Sequence, residues 1–287
     1  MKLNKKTKLV FILVAFFLIG LAVPSYSWTR KNVKEIETFY NSKLSPIIMI
    51  PGSSATENRF DGLVRKLNQD RRGTKHSLLK VKVWNNGRIT FEGKIKDKDN
   101  EPVIVIGFEN NKDGYNNIKK QTKMMNQAFE ALQNKYNFNN FKGLGHSNGG
   151  LIYTAFIENY LSNYDVKINS LMTIGTPYNF TETNIKNKSV MLADFIAAKE
   201  NIPATLHVYS VAGTITYDSD ELVPDASVSA GKYIYQNQAK SYTEITVTGE
   251  DAQHSDLPTN DEVVELIKQH IEGQGVRKKQ KTNLEPQ

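Results

Sequence analysis

The sequence predicts an α/β fold in which one mostly parallel sheet is covered by helices on both faces. Three observations carry this. Short, continuous apolar runs, such as Ile47-Ile48-Met49-Ile50 and the stretch PVIVIGFE at 102–109, have no polar side, so both faces of these strands must be covered. Stretches with helical spacing alternate with these runs along the chain. No internal repeat and no linker interrupts the series, so the units belong to one sheet.

The N-terminus precedes this pattern. Residues 1–8 (MKLNKKTK) carry four lysines and no acid, and the fifteen residues 9–23 (LVFILVAFFLIGLAV) carry no charge. A basic start followed by an apolar stretch is the pattern of a secretory signal. Pro24 is expected to end its helix, and Ser25 and Ser27 place small residues at −3 and −1 of a cut before Trp28. The competing expectation is an uncleaved anchor, because no charge follows until Arg30. With the lysines held inside, both expectations put the body outside the cytoplasm, secreted or on the extracellular face of the membrane. The expected organisation is a signal or anchor at 1–27, a domain at 28–273 and a basic, disordered tail at 274–287. The chain has no Cys, which excludes disulfides and a lipoprotein anchor, so its core alone must stabilise it.

Residues 28–44 read as a charged, weakly helical lead-in. After the strand at 47–50, stopped by Pro51-Gly52, residues 56–70 place Phe60, Leu63, Val64 and Leu67 at helical spacing, with Thr56 as the expected N-cap. LLKVKVW and RITFEGKI flank Asn85-Asn86-Gly87, a hairpin signal. Residues 116–136 are an amphipathic helix with Ile118, Met125, Phe129 and Leu132 on one stripe. In the second half, Phe141 to Leu144 read as a short strand and NGGLIYTAFIENYLSNY as a helix. The remaining strands are expected at 170–178, 206–213 and 241–249, with short helical structure at 225–236 and a final helix at 260–273 capped by Asn260.

The formal net charge is +7. Residues 1–8 contribute +4 and residues 273–287 contribute +3, which leaves the body between them balanced. A basic binding face on the fold is therefore not supported, and no nucleic-acid partner is expected.

Gly145-His146-Ser147-Asn148-Gly149 is an instance of G-x-S-x-G placed between a strand and a helix. In that context the serine sits on a tight, strained turn that lifts its hydroxyl off the sheet edge, and the glycines stand where side chains would strike the neighbouring strand or helix. A nucleophilic serine needs a base, and five histidines are available. His146 adjoins the serine and should point away from it. His76 lies beside a basic loop, where a solvated role is expected. His207 falls inside a strand, and His270 lies on the surface of the last helix. His254 follows the last strand, in GEDAQHSDLPTN, and can swing over the carboxyl edge of the sheet, which makes it the expected base. The acid should follow the next-to-last strand. The carboxylates there are Asp218, Asp220, Glu221 and Asp225, and the candidates rank Asp220, then Asp225, then Asp218, because the apolar pair Leu222-Val223 can tuck Asp220 against the sheet. The expected oxyanion donors are the backbone N–H groups of Asn148 and Ser53. No metal or cofactor is expected, since the chain has no H-E-x-x-H, no Cys and no histidines at ligand spacing.

The chain order Ser147, Asp220, His254 is that of an α/β-hydrolase fold. More narrowly, the stretches PIIMIPGSSATENRF, GLGHSNGG, IGTPYNF, DSDELVPDASVSA and AQHSDLPTN, which together span about 47–272, resemble the exported or cell-surface hydrolases of low-GC Gram-positive bacteria known as the DUF915 type. Two departures stand out. Pro51 replaces the histidine usual before Gly52, and Glu221 stands where the family pattern S-D-G-x-V-P has glycine. The resemblance implies the fold and the triad, and little about the substrate.

The leading expectation is an exported esterase- or lipase-like serine hydrolase that acts on a small-molecule or lipid-like carboxylic ester, with membrane association through the N-terminal segment. Acyl transfer is its near relative. The alternative from another class is a surface protein that keeps the scaffold and binds without turnover, which Pro51 and Glu221 allow. Residues 179–205 are expected to cover the site, although Met191, Leu192 and Phe195 also suit packing onto the core.

Overall fold

A computed structural model describes residues 4–69, 71, 73–215 and 218–273; the expected disordered tail at 274–287 lies outside the described residues. Strands β1 (Ile47–Ile50), β2 (Leu78–Val83), β3 (Ile89–Gly93), β4 (Val103–Phe108), β5 (Asn140–His146), β6 (Lys167–Ile174), β7 (His207–Thr214) and β8 (Ser241–Thr248) form one eight-stranded sheet in the order β3-β2-β4-β1-β5-β6-β7-β8. Every pairing is parallel except β2 with β3, the hairpin closed at Asn85-Asn86-Gly87.

The apolar runs are continuous because successive side chains enter two different cores. From β1, Ile48 and Ile50 enter one core and Ile47 and Met49 the other; β4 divides Ile104 and Ile106 from Val103 and Val105 in the same way. The first core is closed by α3 (Tyr115–Tyr136), α4 (Asn148–Asn159), α5 (Val190–Ala198) and α7 (Lys232–Tyr235), and holds Met191, Leu192 and Phe195 of α5. The second is closed by α2 (Asp61–Gln69) and α8 (Asp261–His270). Asn260 caps α8 by accepting from the N–H groups of Glu262 and Val263. Short α6 (Asp225–Val228) precedes α7, as the 225–236 reading expects.

Three local expectations change. Helix α1 (Lys5–Tyr40) runs through Pro24 instead of ending there; one lost backbone hydrogen bond does not break a helix of 36 residues. It forms a unit by itself, buries none of its residues, and is long and apolar enough to cross a bilayer; the second unit begins at Lys43. Helix α2 begins at Asp61, not after Thr56, because Thr56 instead closes a turn, accepting from Asn58 N–H on Oγ1 and from Arg59 N–H on its carbonyl. His76 is buried, not solvated: its Nε2 lies 2.8 Å from Glu272 Oε1 and its Nδ1 2.5 Å from the Glu101 carbonyl, in a cluster joined by Arg71 and Lys142.

Candidate active site

Ser147 is the single residue between β5 and α4, with φ 56° and ψ −129°. That backbone region is costly for any residue with a side chain, so the surroundings must hold it. Ser147 N–H donates to the Ile174 carbonyl at 2.8 Å, and the Ser147 carbonyl accepts from Gly150 N–H at 3.0 Å and Thr176 Oγ1 at 3.1 Å. The turn also requires close backbone approach. A Cβ on Gly149 would lie 2.0 Å from the Ile50 carbonyl oxygen, and one on Gly145 would lie 2.5 Å from Gly150 N. The loop after β1 leans on the serine itself: a Cβ on Gly52 would stand 2.6 Å from Ser147 Cβ and 3.2 Å from its Oγ.

Asp220 and His254 meet. Asp220 is 1% exposed and His254 is 5% exposed. His254 Nδ1 lies 2.6 Å from Asp220 Oδ2, and because an ionised carboxylate only accepts, Nδ1 carries the proton. In the neutral imidazole Nε2 is then the unprotonated nitrogen, able to take a proton. The other carboxylate oxygen, Oδ1, accepts from the N–H groups of Leu222 at 3.1 Å and Val223 at 2.7 Å. Glu221, in the position where glycine was expected, adopts φ 73°, so the turn keeps a glycine-like shape with a glutamate in it. Asp218 is exposed and Asp225 opens α6; among the described residues neither is bonded to His254.

The pair sits over the end of β6. A Cβ on Gly175 would lie 3.1 Å from Asp220 Oδ2 and 3.1 Å from His254 Nδ1, and Ile174 just before it receives the Ser147 N–H. The serine, the carboxylate and the imidazole thus share one edge of the sheet, on loops that leave β5, β7 and β8. Among the described residues no hydrogen bond joins Ser147 Oγ to His254.

Two backbone donors border the serine. The N–H of Asn148 opens α4, where the helix supplies no acceptor, and the N–H of Ser53 follows Gly52; among the described residues neither meets an acceptor. The positive end of α4 adds to the field there. The Asn148 side chain is turned aside, its Nδ2 donating to Asp113 Oδ1 at 2.7 Å. Among the described residues no cluster of three or more His, Asp and Glu is suited to a metal ion.

Of the other histidines, His207 bonds Ser241 Oγ at 2.8 Å and His270 stacks on Tyr209 at 4.3 Å. Near the site, the sequence reading sets His146 aside as pointing away from the serine and does not single out Arg59. His146 Nε2 lies 2.9 Å from the His254 carbonyl, and Arg59 Nη2 donates to the Ser255 carbonyl. The only sequence signal for either is adjacency, of His146 to Ser147 and of Arg59 to the loop after β1.

Residues 34–274 match the model of a family described as an alpha/beta hydrolase of unknown function, DUF915. A solved structure from Lactobacillus plantarum, described as a cell surface hydrolase, is 50% identical over 79% of this chain and 91% of its own, with a TM-score of 0.73. A solved structure from Listeria innocua is 30% identical over 78% of this chain and 92% of its own, with a TM-score of 0.72. No curated protein matches the chain.

Proposed function

The chain belongs to the DUF915 family of α/β-hydrolases, and we propose that it is a serine hydrolase that cleaves carboxylic esters outside the cytoplasm, with Ser147 as nucleophile, His254 as base and Asp220 as the acid that orients it. The observation that carries this reading is the 2.6 Å contact of Asp220 with His254 beside a serine held at φ 56°. His254 Nε2 takes the proton of Ser147 Oγ as the oxygen attacks the ester carbonyl. The N–H groups of Asn148 and Ser53 receive the oxyanion. The intermediate collapses, the leaving alkoxide takes the proton from His254, and an acyl-enzyme remains. Water, deprotonated by His254, attacks that ester, and Ser147 leaves with the proton as the carboxylic acid is released.

Residues 1–27 would export the chain, as a cleaved signal or as an anchor, and 28–273 would hold the hydrolase domain, whose compact unit begins at Lys43. Supporting this are the length and apolarity of α1 and the 50% identity to the Lactobacillus plantarum protein. Protease treatment of intact cells should degrade the body of the protein.

A fluorophosphonate probe tests the chemistry. The wild type should be labelled and Ser147→Ala should not. Folded wild type that resists the probe would favour a surface protein that binds without turnover. A panel of p-nitrophenyl esters of rising chain length would then rank the acyl groups, and added alcohol acceptors would separate hydrolysis from acyl transfer.

A further inference from the structure

His146 has no step in the proposed reaction, yet it touches the base. It is covalently joined to Ser147, so the end of β5 that sets the serine sets His146 as well. Its Nε2 lies 2.9 Å from the His254 carbonyl. A carbonyl only accepts, so Nε2 carries the proton of His146 and donates it there. The two rings lie 4.9 Å apart, inclined at 37°.

The base needs such a tether. His254 lies between two short 3₁₀ turns, Glu250–Ala252 and Leu257–Thr259, with no strand or long helix to hold it. Its backbone N–H donates to the Asp220 carbonyl at 3.0 Å and its ring to the Asp220 carboxylate, so both of these bonds lead back to the loop after β7. Arg59 holds the next carbonyl, that of Ser255. Among the described residues, the hydrogen bond from His146 is the one that links the base to the strand carrying the nucleophile.

We infer that His146 is a positioning residue, which fixes the distance between His254 and Ser147 through the hydrogen bond from its Nε2–H to the His254 carbonyl. The role rests on the serine-hydrolase reading above. Two further features agree with it. His146 Nδ1 is buried and has no partner, a state that a residue kept only for packing would avoid by being apolar. Burial, with His254 and then Arg59 nearby, holds the His146 imidazole well below its ordinary range, so the ring stays neutral while His254 gains its proton. Among the described residues, the charged or titratable groups facing His146 are these two, one from the loop after β8 and one from the loop after β1.

The test uses the full chain with p-nitrophenyl butyrate, with kcat normalised to the burst amplitude so that only folded, acylating protein is counted. His146→Phe keeps an aromatic ring and loses the donor; His146→Gln keeps an N–H four bonds from Cα. A misplacement of about 1 Å at the reacting atoms costs about 10²-fold, so the Phe variant should lose about that much in kcat with KM within about twofold, and the Gln variant should recover most of it. His146→Leu provides a second donor-free variant should the Phe variant not fold. Donor-free variants with the kcat of wild type would overturn the inference, as would a Gln variant as slow as they are. Wild type that neither hydrolyses the ester nor reacts with the fluorophosphonate would remove the serine-hydrolase reading itself, and the inference with it.

Discussion

Asp220→Asn is isosteric, and the hydrogen bonds around the carboxylate decide which way the new amide must face. Oδ1 of Asp220 accepts two backbone N–H groups, from Leu222 at 3.1 Å and Val223 at 2.7 Å, while Oδ2 receives Nδ1 of His254 at 2.6 Å. The asparagine oxygen must take the place of Oδ1, since the flipped amide would aim its NH₂ at two donors in a site that is 1% exposed. The NH₂ then faces His254 Nδ1, which must become the acceptor. The proton moves to Nε2, the nitrogen proposed to take the proton of Ser147. In a serine protease the same change lowers kcat about 10⁴-fold, equivalent to about 5.5 kcal/mol of transition-state stabilisation, and a similar loss is expected here. All three hydrogen bonds to the carboxylate lose their charge assistance while none loses its partner, so the thermal midpoint should fall by the equivalent of about 3 kcal/mol or less. The assay is turnover of p-nitrophenyl butyrate and the second-order rate of fluorophosphonate labelling, with the midpoint measured alongside. Asp218→Asn, at an exposed position, is the control and should keep its activity. A folded Asp220→Asn protein that keeps more than about a tenth of the wild-type kcat would refute the assignment of Asp220, because the tautomer argument permits no such rate.

Two stability predictions concern Glu158, at the far end of α4 from Ser147, and Glu221, next to Asp220. Glu158, on α4, is 4% exposed, and burial raises its carboxyl from 4.5 to about 9. The unfolded chain ionises this group near 4.5 while the folded chain keeps it protonated, so between pH 4.5 and about 9 the folded state binds more protons and its stability falls as pH rises. At pH 7 the penalty is about 3 kcal/mol, and Glu158→Gln should remove it: denaturation midpoints of the two proteins should coincide near pH 4.5 and separate toward pH 9, and parallel curves would contradict the burial argument. At Glu221, φ of 73° places a side chain in the left-handed region, so Glu221→Gly should raise stability by about 0.5–1 kcal/mol in urea unfolding, and a loss there would show that the glutamate side chain holds the turn.

Local signals in the sequence were legible where local physics decides. Ile47 to Ile50 could be read as doubly buried because each face of the sheet has its own core, and Asn260 could be read as a cap because its bonds reach only two and three residues on. Where a local rule competes with length, it failed: Pro24 marks a helix end in a short window, but α1 continues through it. Long-range polar contacts away from the strand ends were not legible. His76 looked solvated from its neighbours, and it is buried by Glu101 and Glu272, which lie 25 and 196 residues away. The candidate site escapes this limit for a topological reason. In a parallel sheet every strand ends at the same edge, so residues just past β5, β7 and β8 are brought together whatever their separation in the chain. That is why Ser147, Asp220 and His254 could be chosen from linear order, and why Asp218 and Asp225 stayed in contention, since all three acids follow β7 and only the turn at Glu221 and Leu222 separates them. The same logic shows what was missed in His146. It also ends a strand at that edge, so the topology that delivers Ser147 to the loop of His254 delivers its neighbour too, and a histidine there bonds that loop because the loop after β8 returns along the edge to the end of β5.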